Sequence, residues 1–217
     1  MKNQLTPRRR FLNLIASSLG LAGITPMSAS AENNSGSDDL EAWFNKITGK
    51  HKMVFDTIST NNGFQVLWPH TFLETHNQTG APDNELNAIV VLRNKAVPMA
   101  LDDRIWKKYK LGKFYKVTDP LNNVDADRNL IWDPPKGELP EEGTSIKDLM
   151  ARGVMFCVCE KALTLNSAQV AKSKGLDAAQ VKQEWLEATL PGIQRVPSGV
   201  WALNKAQEHG ATYCYAG

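Results

Sequence analysis

Three cysteines are the residues of this sequence with the most distinctive chemistry. Cys157 and Cys159 lie one residue apart in the apolar run "GVMFCVCEKALTL", residues 153–165, and Cys214 lies in the closing "ATYCYAG". A cysteine thiolate is a nucleophile, a carrier of sulfur and one half of a disulfide. The alternative is that all three are small core residues, because free cysteine is among the most buried residue types.

The run that contains Cys157 and Cys159 has strand character. Because side chains alternate along a strand, Met155, Cys157 and Cys159 are predicted to share one face. Residues two apart on a strand lie roughly 6.5 Å apart, whereas a disulfide needs Cβ atoms about 3.5–4.5 Å apart. A bridge between Cys157 and Cys159 is therefore not expected. An oxidised pair would include Cys214, and the residues alone leave its partner open.

Position along the strand distinguishes the two neighbouring cysteines. In open α/β sheets, ligands bind beyond the carboxyl ends of the strands, and Cys159 stands at that end of residues 154–159. Cys159 is therefore the candidate catalytic thiol and is expected to be accessible. Cys214 is the candidate partner, and Cys157 is less favoured because it lies one step further inside the strand.

The elements that would position these cysteines alternate between two patterns. Five apolar runs predict strands at residues 51–59, 87–93, 154–159, 193–196 and 212–215. Stretches with helical spacing or with a helix-cap residue lie between these runs. This alternation predicts an α/β fold, a three-layer α/β/α arrangement with a mainly parallel sheet of about five strands. Ser145, Asp177 and Ser198 stand where helix N-caps are expected. Residues 112–144 are rich in proline and polar turn residues, and they predict a long irregular excursion.

Residues 1–31 have the composition of an export signal. "RRRFL", which starts at Arg8, resembles the twin-arginine signal of bacteria, and "ASA", which ends at Ala31, is a small-x-small cleavage site. The apolar stretch between them is short for a membrane span, which needs roughly 20 residues. We therefore predict cleavage after Ala31, a periplasmic location and no membrane association of the mature chain. An uncleaved anchor is the alternative.

Charge and length limit the functions and the number of domains that are expected for the remaining chain. The 217 residues include 25 Lys and Arg against 23 Asp and Glu, and residues 1–31 hold four of the basic residues and no acidic one. The other 186 residues therefore have 21 basic against 23 acidic residues, a net charge of −2. This balance gives nucleic-acid binding little support. Residues 32–50 are predicted to be a polar leader, disordered to residue 39, and a short helix. Residues 51–217 are predicted to form one domain.

Several polar residues are weaker candidates for a ligand-binding site. The turn after the first predicted strand places hydroxyl and amide groups at the sheet edge where Cys159 is expected, and such groups suit a small polar or anionic ligand. Ser198 is explained as a helix cap, with ligand binding as the alternative. Neither the C-x-x-C zinc pattern nor H-E-x-x-H occurs, so no metal and no cofactor is predicted. The candidate ligand-binding residues are Ser59, Asn61, Asn62, Gly63 and Ser198.

The stretch from Lys147 to the C-terminus resembles the DsrE-like family of small α/β proteins. Three pieces in order carry the resemblance: "GVMFCVC", "VPSGV" and "AQEHGATY". "HKMVFDTIS" and "NAIVVLR" fit more loosely. Family members that work in sulfur oxidation or transfer-RNA thiolation pass sulfur as a persulfide on the cysteine that closes this motif strand, and that cysteine corresponds to Cys159. The resemblance also implies homo-oligomers, which are common among related folds.

Three functional hypotheses remain from the sequence. In the first, Cys159 accepts, carries or reduces sulfur or a disulfide in the periplasm, with a small molecule or a thiol protein of unknown identity as partner. In the second, the chain is a non-catalytic module whose crevice binds a small molecule or a protein. In the third, Cys214 forms a structural bridge. Thiol titration of the purified protein distinguishes the three.

Overall fold

Five strands form the centre of the molecule and pair in parallel throughout. The structure is a computed structural model, and it describes residues 35–217. The five strands follow the order β6-β5-β2-β1-β7, and β3 and β4 form a separate antiparallel pair. The strands are β1 (His51–Thr57), β2 (Leu86–Leu92), β3 (Thr118–Asp119), β4 (Val124–Asp125), β5 (Met155–Cys159), β6 (Gln194–Val196) and β7 (Thr212–Tyr215). The predicted sheet is confirmed, and β5 is an interior strand.

Helices cover both faces of this sheet, which gives the predicted three-layer α/β/α architecture. Short 3₁₀ segments span Asn61–Val66, Asp83–Glu85 and Asn94–Ala100. The α-helices within residues 35–217 are α1 (Ser35–Phe44), α2 (Leu67–Gln78), α3 (Asp103–Tyr109), α4 (Leu111–Tyr115), α5 (Ile146–Ala151), α6 (Glu160–Lys174), α7 (Ala178–Glu187) and α8 (Gly199–Glu208).

The alternation of side chains along the strands divides the core in two. Phe55, Val90 and Phe156 pack on the first face, beneath α2, α3, α5, α6 and α7. Val91 and Cys157 pack on the second face, beneath α1 and α8. Strands buried on both faces read as continuous apolar runs, and β2 is such a run.

The three predicted helix caps are confirmed. The Ser145 hydroxyl accepts a hydrogen bond from the Asp148 N–H at 3.0 Å, and the Asp177 carboxylate accepts one from the Gln180 N–H at 2.7 Å. Ser198 Oγ accepts one from the Trp201 N–H at 3.2 Å in the same way. Each side chain satisfies a backbone donor that the first helical turn leaves without a partner. These contacts fix where α5, α7 and α8 begin.

One segment prediction is wrong. The leader predicted to be disordered to residue 39 is helical from Ser35, and α1 packs Phe44 into the second face. Residues 35–50 therefore belong to the domain. The strand predicted at residues 154–159 is confirmed as β5, and α6, which the sequence did not predict, begins at the next residue.

The predicted excursion at residues 112–144 is long and largely irregular, but it is packed against the domain. Ile131 and other apolar side chains of the excursion join the first-face core. Asn129 donates hydrogen bonds from its amide nitrogen to the carbonyls of Met99 and Leu101, each at 2.9 Å. Gly112 lies so close to the Ala126 backbone that a Cβ would not fit. These contacts anchor the excursion to the domain between Gly112 and Ile131.

Within residues 35–217, no helix combines the length and the apolar character needed to cross a bilayer. The predicted signal, residues 1–31, lies outside the described residues, and its export function stays a prediction.

Candidate functional site

Cys159 lies at the junction of β5 and α6 and caps the helix. Its Sγ accepts a hydrogen bond from the Ala162 N–H at 3.2 Å. The residue pairs with Val196 of β6, and the chain turns into the helix immediately afterwards. Cys159 is 6% exposed, so the prediction that it is accessible is wrong for this conformation. The first turn of α6 covers the sulfur.

The prediction that Met155, Cys157 and Cys159 share a face is wrong at the third residue. Met155 and Cys157 pack on the second face, whereas Cys159 packs with the first-face core. Strict alternation holds only while the strand continues, and Cys159 is the residue at which β5 becomes α6. Cys157 has no exposed surface, and its burial raises the pKa of its thiol far above the ordinary value. Cys157 is therefore a core residue.

Cys214 lies too far away to bridge either cysteine of β5. It sits on β7, three strands from β5 in the sheet order, or about 14 Å at the usual strand spacing. A disulfide joins Cα atoms less than about 7 Å apart. All three cysteines are free, so Cys214 is corrected from a candidate disulfide partner to an isolated thiol. Partial burial raises the pKa of its thiol.

A partly buried ion pair lies at the same edge of the sheet as Cys159. Arg93, directly after β2, donates to both oxygens of Asp56 on β1, from Nε at 2.6 Å and from Nη2 at 2.8 Å. The Tyr213 hydroxyl of β7 donates to Asp56 Oδ2 at 2.8 Å. Asp56 is 2% exposed, so these donors compensate a carboxylate that has lost its water.

Arg93 is held at this edge by its bond to Asp56. The hydrogen bond to Asp56 raises the pKa of Arg93, burial opposes the rise, and the negative charge of Asp56 adds to it. The start of α8 packs on the same side chain, because a Cβ on Gly199 would lie 2.8 Å from Arg93 Cβ. Glycine is required there for this close approach.

A cleft of about 470 Å³ opens beside the first two turns of α6, and we call it the lysine cleft. Ala162, whose N–H bonds to Cys159, lies in its wall. Lys95 and Lys116 stand among its lining residues, and neither forms an ion pair with a described residue. Tyr115 donates from its hydroxyl to Asn166 Oδ1 at 2.8 Å, which fixes the polar part of the wall.

The predicted ligand-binding turn lies elsewhere on the edge. Ser59 Oγ accepts from Gln65 Nε2 at 3.0 Å and donates to the Gly217 carbonyl at 3.4 Å, so it serves contacts with the C-terminus. Asn61 has a φ of 32° and is exposed, and Gly63 has a φ of 86°. Asn61, Asn62 and Gly63 open the 3₁₀ segment that follows β1, and Ser59 precedes it. β1 lies two strands from β5, the strand of Cys159. The hydroxyl of Ser198 is engaged in capping α8.

Sequence reasoning missed Asp56, Arg93 and Tyr213. A signal for the first two was present: Asp56 is the one charged residue inside the apolar part of "HKMVFDTIS", and Arg93 closes the next apolar strand. A carboxylate inside a buried strand needs a cation or several donors nearby. Parallel pairing of β1 and β2 brings the two side chains to one edge.

Comparisons with known proteins do not assign a function to this site. No protein-family model matches the chain, and no curated protein matches it. Among solved structures, the chain is similar to a protein of unknown function, MTH1491 from Methanobacterium thermoautotrophicum, with 16% sequence identity and a TM-score of 0.40. The match covers 76% of this chain and 98% of that chain. The three-layer α/β/α architecture is established by the structure, and the DsrE-like family stays a prediction from the sequence.

Proposed function

We propose that this chain is a periplasmic sulfur-handling protein of the DsrE-like kind, with Cys159 as its carrier thiol. The observation that carries the proposal is the setting of Cys159 Sγ, which accepts the Ala162 N–H at the start of a 15-residue helix. A helix N-terminus is one of the surroundings in which reactive cysteines occur.

The chemical step requires only a donor that carries a sulfane sulfur. The Cys159 thiolate attacks the outer sulfur of a persulfide donor, the donor's S–S bond breaks, and the donor leaves as a thiolate. A new S–S bond then holds the transferred sulfur on Cys159, and an acceptor thiolate removes it by the same exchange. No oxidant is consumed. The N–H of Ala162 is the group that contacts the sulfur and can stabilise negative charge on it during the exchange.

The lysine cleft gives such a donor an approach. Lys95 and Lys116, which form no ion pair within residues 35–217, attract an anion, and Ala162 of the cleft wall donates its N–H to Cys159 Sγ. Because Cys159 is 6% exposed, the first turn of α6 has to move before its sulfur meets a substrate. Helix ends open more easily than strands in the centre of a sheet, so this turn is a suitable gate.

The burial of Cys159 also supports a second candidate function. If the first turn of α6 stays closed, the lysine cleft is a non-catalytic site for a small anionic molecule, and the cysteines are core residues. The cleft volume of about 470 Å³ lies within the range of small-molecule sites. The two candidates differ in whether Cys159 reacts.

The test is persulfide transfer to the reduced full chain. We expect incubation with a low-molecular-weight persulfide to add the mass of one sulfur atom to the peptide that contains Cys159, and a thiol acceptor to remove it. Cys159→Ser should lose the added sulfur. Cys214→Ser is the matched control and should keep it, because Cys214 lies three strands away. An unmodified Cys159 in a folded protein that still binds anions would favour the binding module instead.

A further inference from the structure

A second cleft, of about 320 Å³, lies next to the lysine cleft, and we call it the end cleft. Phe114 lines both clefts, so they are neighbours. On α6, the lining extends from Ala162 in the first turn to Lys174 at the last residue of the helix. At a rise of about 1.5 Å per residue, this stretch is roughly 18 Å long. We call the two clefts together the α4–α6 groove, after two of the helices in its walls.

Five lysines line the α4–α6 groove, and none of them forms an ion pair with a described residue. All five are exposed, and no aspartate or glutamate of residues 35–217 stands in either wall. Lys108, in the same stretch of chain, does find a partner in Glu184. The groove therefore has five uncompensated positive charges, although residues 32–217 have a net charge of −2. The lysines are Lys95, Lys110, Lys113, Lys116 and Lys174.

The walls between these lysines offer contacts of other kinds. Leu165 is 57% exposed in the wall of the lysine cleft, and Phe114 is partly exposed where the two clefts meet. The side chain of Gln169, in the same wall, forms no hydrogen bond within the described part of the chain, so its amide is available to a peptide backbone. A peptide covers apolar side chains and bonds to amides, as protein interfaces do, whereas a free inorganic anion does not cover apolar surface.

We propose that the α4–α6 groove binds an extended acidic segment of a partner protein. An extended chain advances roughly 3.3 Å per residue, so about six residues span the groove and bring carboxylates to the lysines at both of its ends. A small anion would occupy one cleft and leave the lysines of the other uncompensated. A flat bilayer surface does not enter two clefts. The proposal goes beyond sulfur transfer, because binding in the groove does not require Cys159 to react.

Fluorescence anisotropy of labelled hexaglutamate with the full chain tests the proposal. We expect binding that weakens as salt rises, and no binding of labelled hexaglutamine, which has the same length without charge. Lys95→Gln and Lys174→Gln remove lysines from the two different clefts, and each should weaken hexaglutamate binding about twofold to fivefold. The double variant should weaken binding by the product of the two effects, because one peptide contacts both clefts.

Lys172→Gln is the matched control. Lys172 is exposed near the same end of α6 but lines neither cleft, because two residues along a helix point to different sides. This variant should leave the affinity unchanged. Equal weakening by Lys172→Gln and Lys174→Gln would mean general electrostatic attraction and would overturn the proposal.

Two other results would assign the lysines to a different ligand. An effect of Lys95→Gln without any effect of Lys174→Gln would reject the extended segment in favour of a small anion in the lysine cleft. Co-sedimentation with phosphatidylglycerol vesicles, without binding of hexaglutamate, would reject it in favour of a membrane surface. Because no sulfur donor is present in these measurements, failure of the groove to bind hexaglutamate is distinct from failure of persulfide transfer to Cys159.

Discussion

Cys157 and Cys159 are two residues apart in one strand, yet their sulfurs have different surroundings. Cys157 is enclosed by the second-face core, whereas Cys159 Sγ accepts a backbone N–H and caps a helix. The sequence predicted correctly that the strand ends at Cys159 and that Cys157 is packed, but both cysteines are buried. It was not sufficient to predict the turned side chain of Cys159, because that depends on where the helix starts.

Serine substitutions should therefore affect stability differently at the two positions. Cys157→Ser places a hydroxyl in an apolar core with no exposed surface, and we expect the free energy of unfolding to fall by about 1–3 kcal/mol. Cys159→Ser should change it by less, because serine is a preferred N-cap and its hydroxyl can accept the Ala162 N–H. Urea denaturation of both variants measures the difference.

Cys157→Ala is the control for the lost sulfur, because alanine carries no polar atom into the core. If Cys159→Ser were the more destabilising variant, the capping role of Cys159 would be wrong.

At the scale of elements, cap residues and apolar runs predicted most of the fold. The five strands and the starts of α5, α7 and α8 follow from them. Helix α6 was missed because it follows β5 without a turn and because its N-cap is a cysteine, which is not a usual cap residue. The packing of α1 was missed because its first residues are polar and small.

Ser198 provides a test of capping against ligand binding. Ser198→Ala should lower the free energy of unfolding by about 1 kcal/mol, because the Trp201 N–H loses its acceptor. Ser198→Asn should restore most of this stability, because asparagine is an equally good N-cap. Urea denaturation measures both effects. Anion binding in the lysine cleft should be the same in the two variants, and a loss of binding in Ser198→Ala alone would return Ser198 to the ligand-binding candidates.

At the scale of the whole molecule, the order of strands decides which residues can act together. A list of strands does not specify their order, and the sequence therefore left the partner of Cys214 open. The order β6-β5-β2-β1-β7 puts β7 beside β1. This arrangement brings Tyr213 to Asp56 and Arg93 and keeps Cys214 away from β5. The excursion was predicted as irregular chain, but its clefts depend on long-range contacts that no local pattern specifies.

The strand order gives a prediction for the oxidised protein. Mild oxidation of the folded full chain should produce no disulfide within one chain, because about 14 Å separates Cys214 from either cysteine of β5 and the sheet between them is buried on both faces. Peptide mass spectrometry without reduction measures this. The same oxidation in concentrated urea is the control: the unfolded chain brings the cysteines together, and bridged peptides should appear. A Cys159–Cys214 peptide from protein oxidised in its folded state would mean that β7 leaves β1 or that the strand order is different.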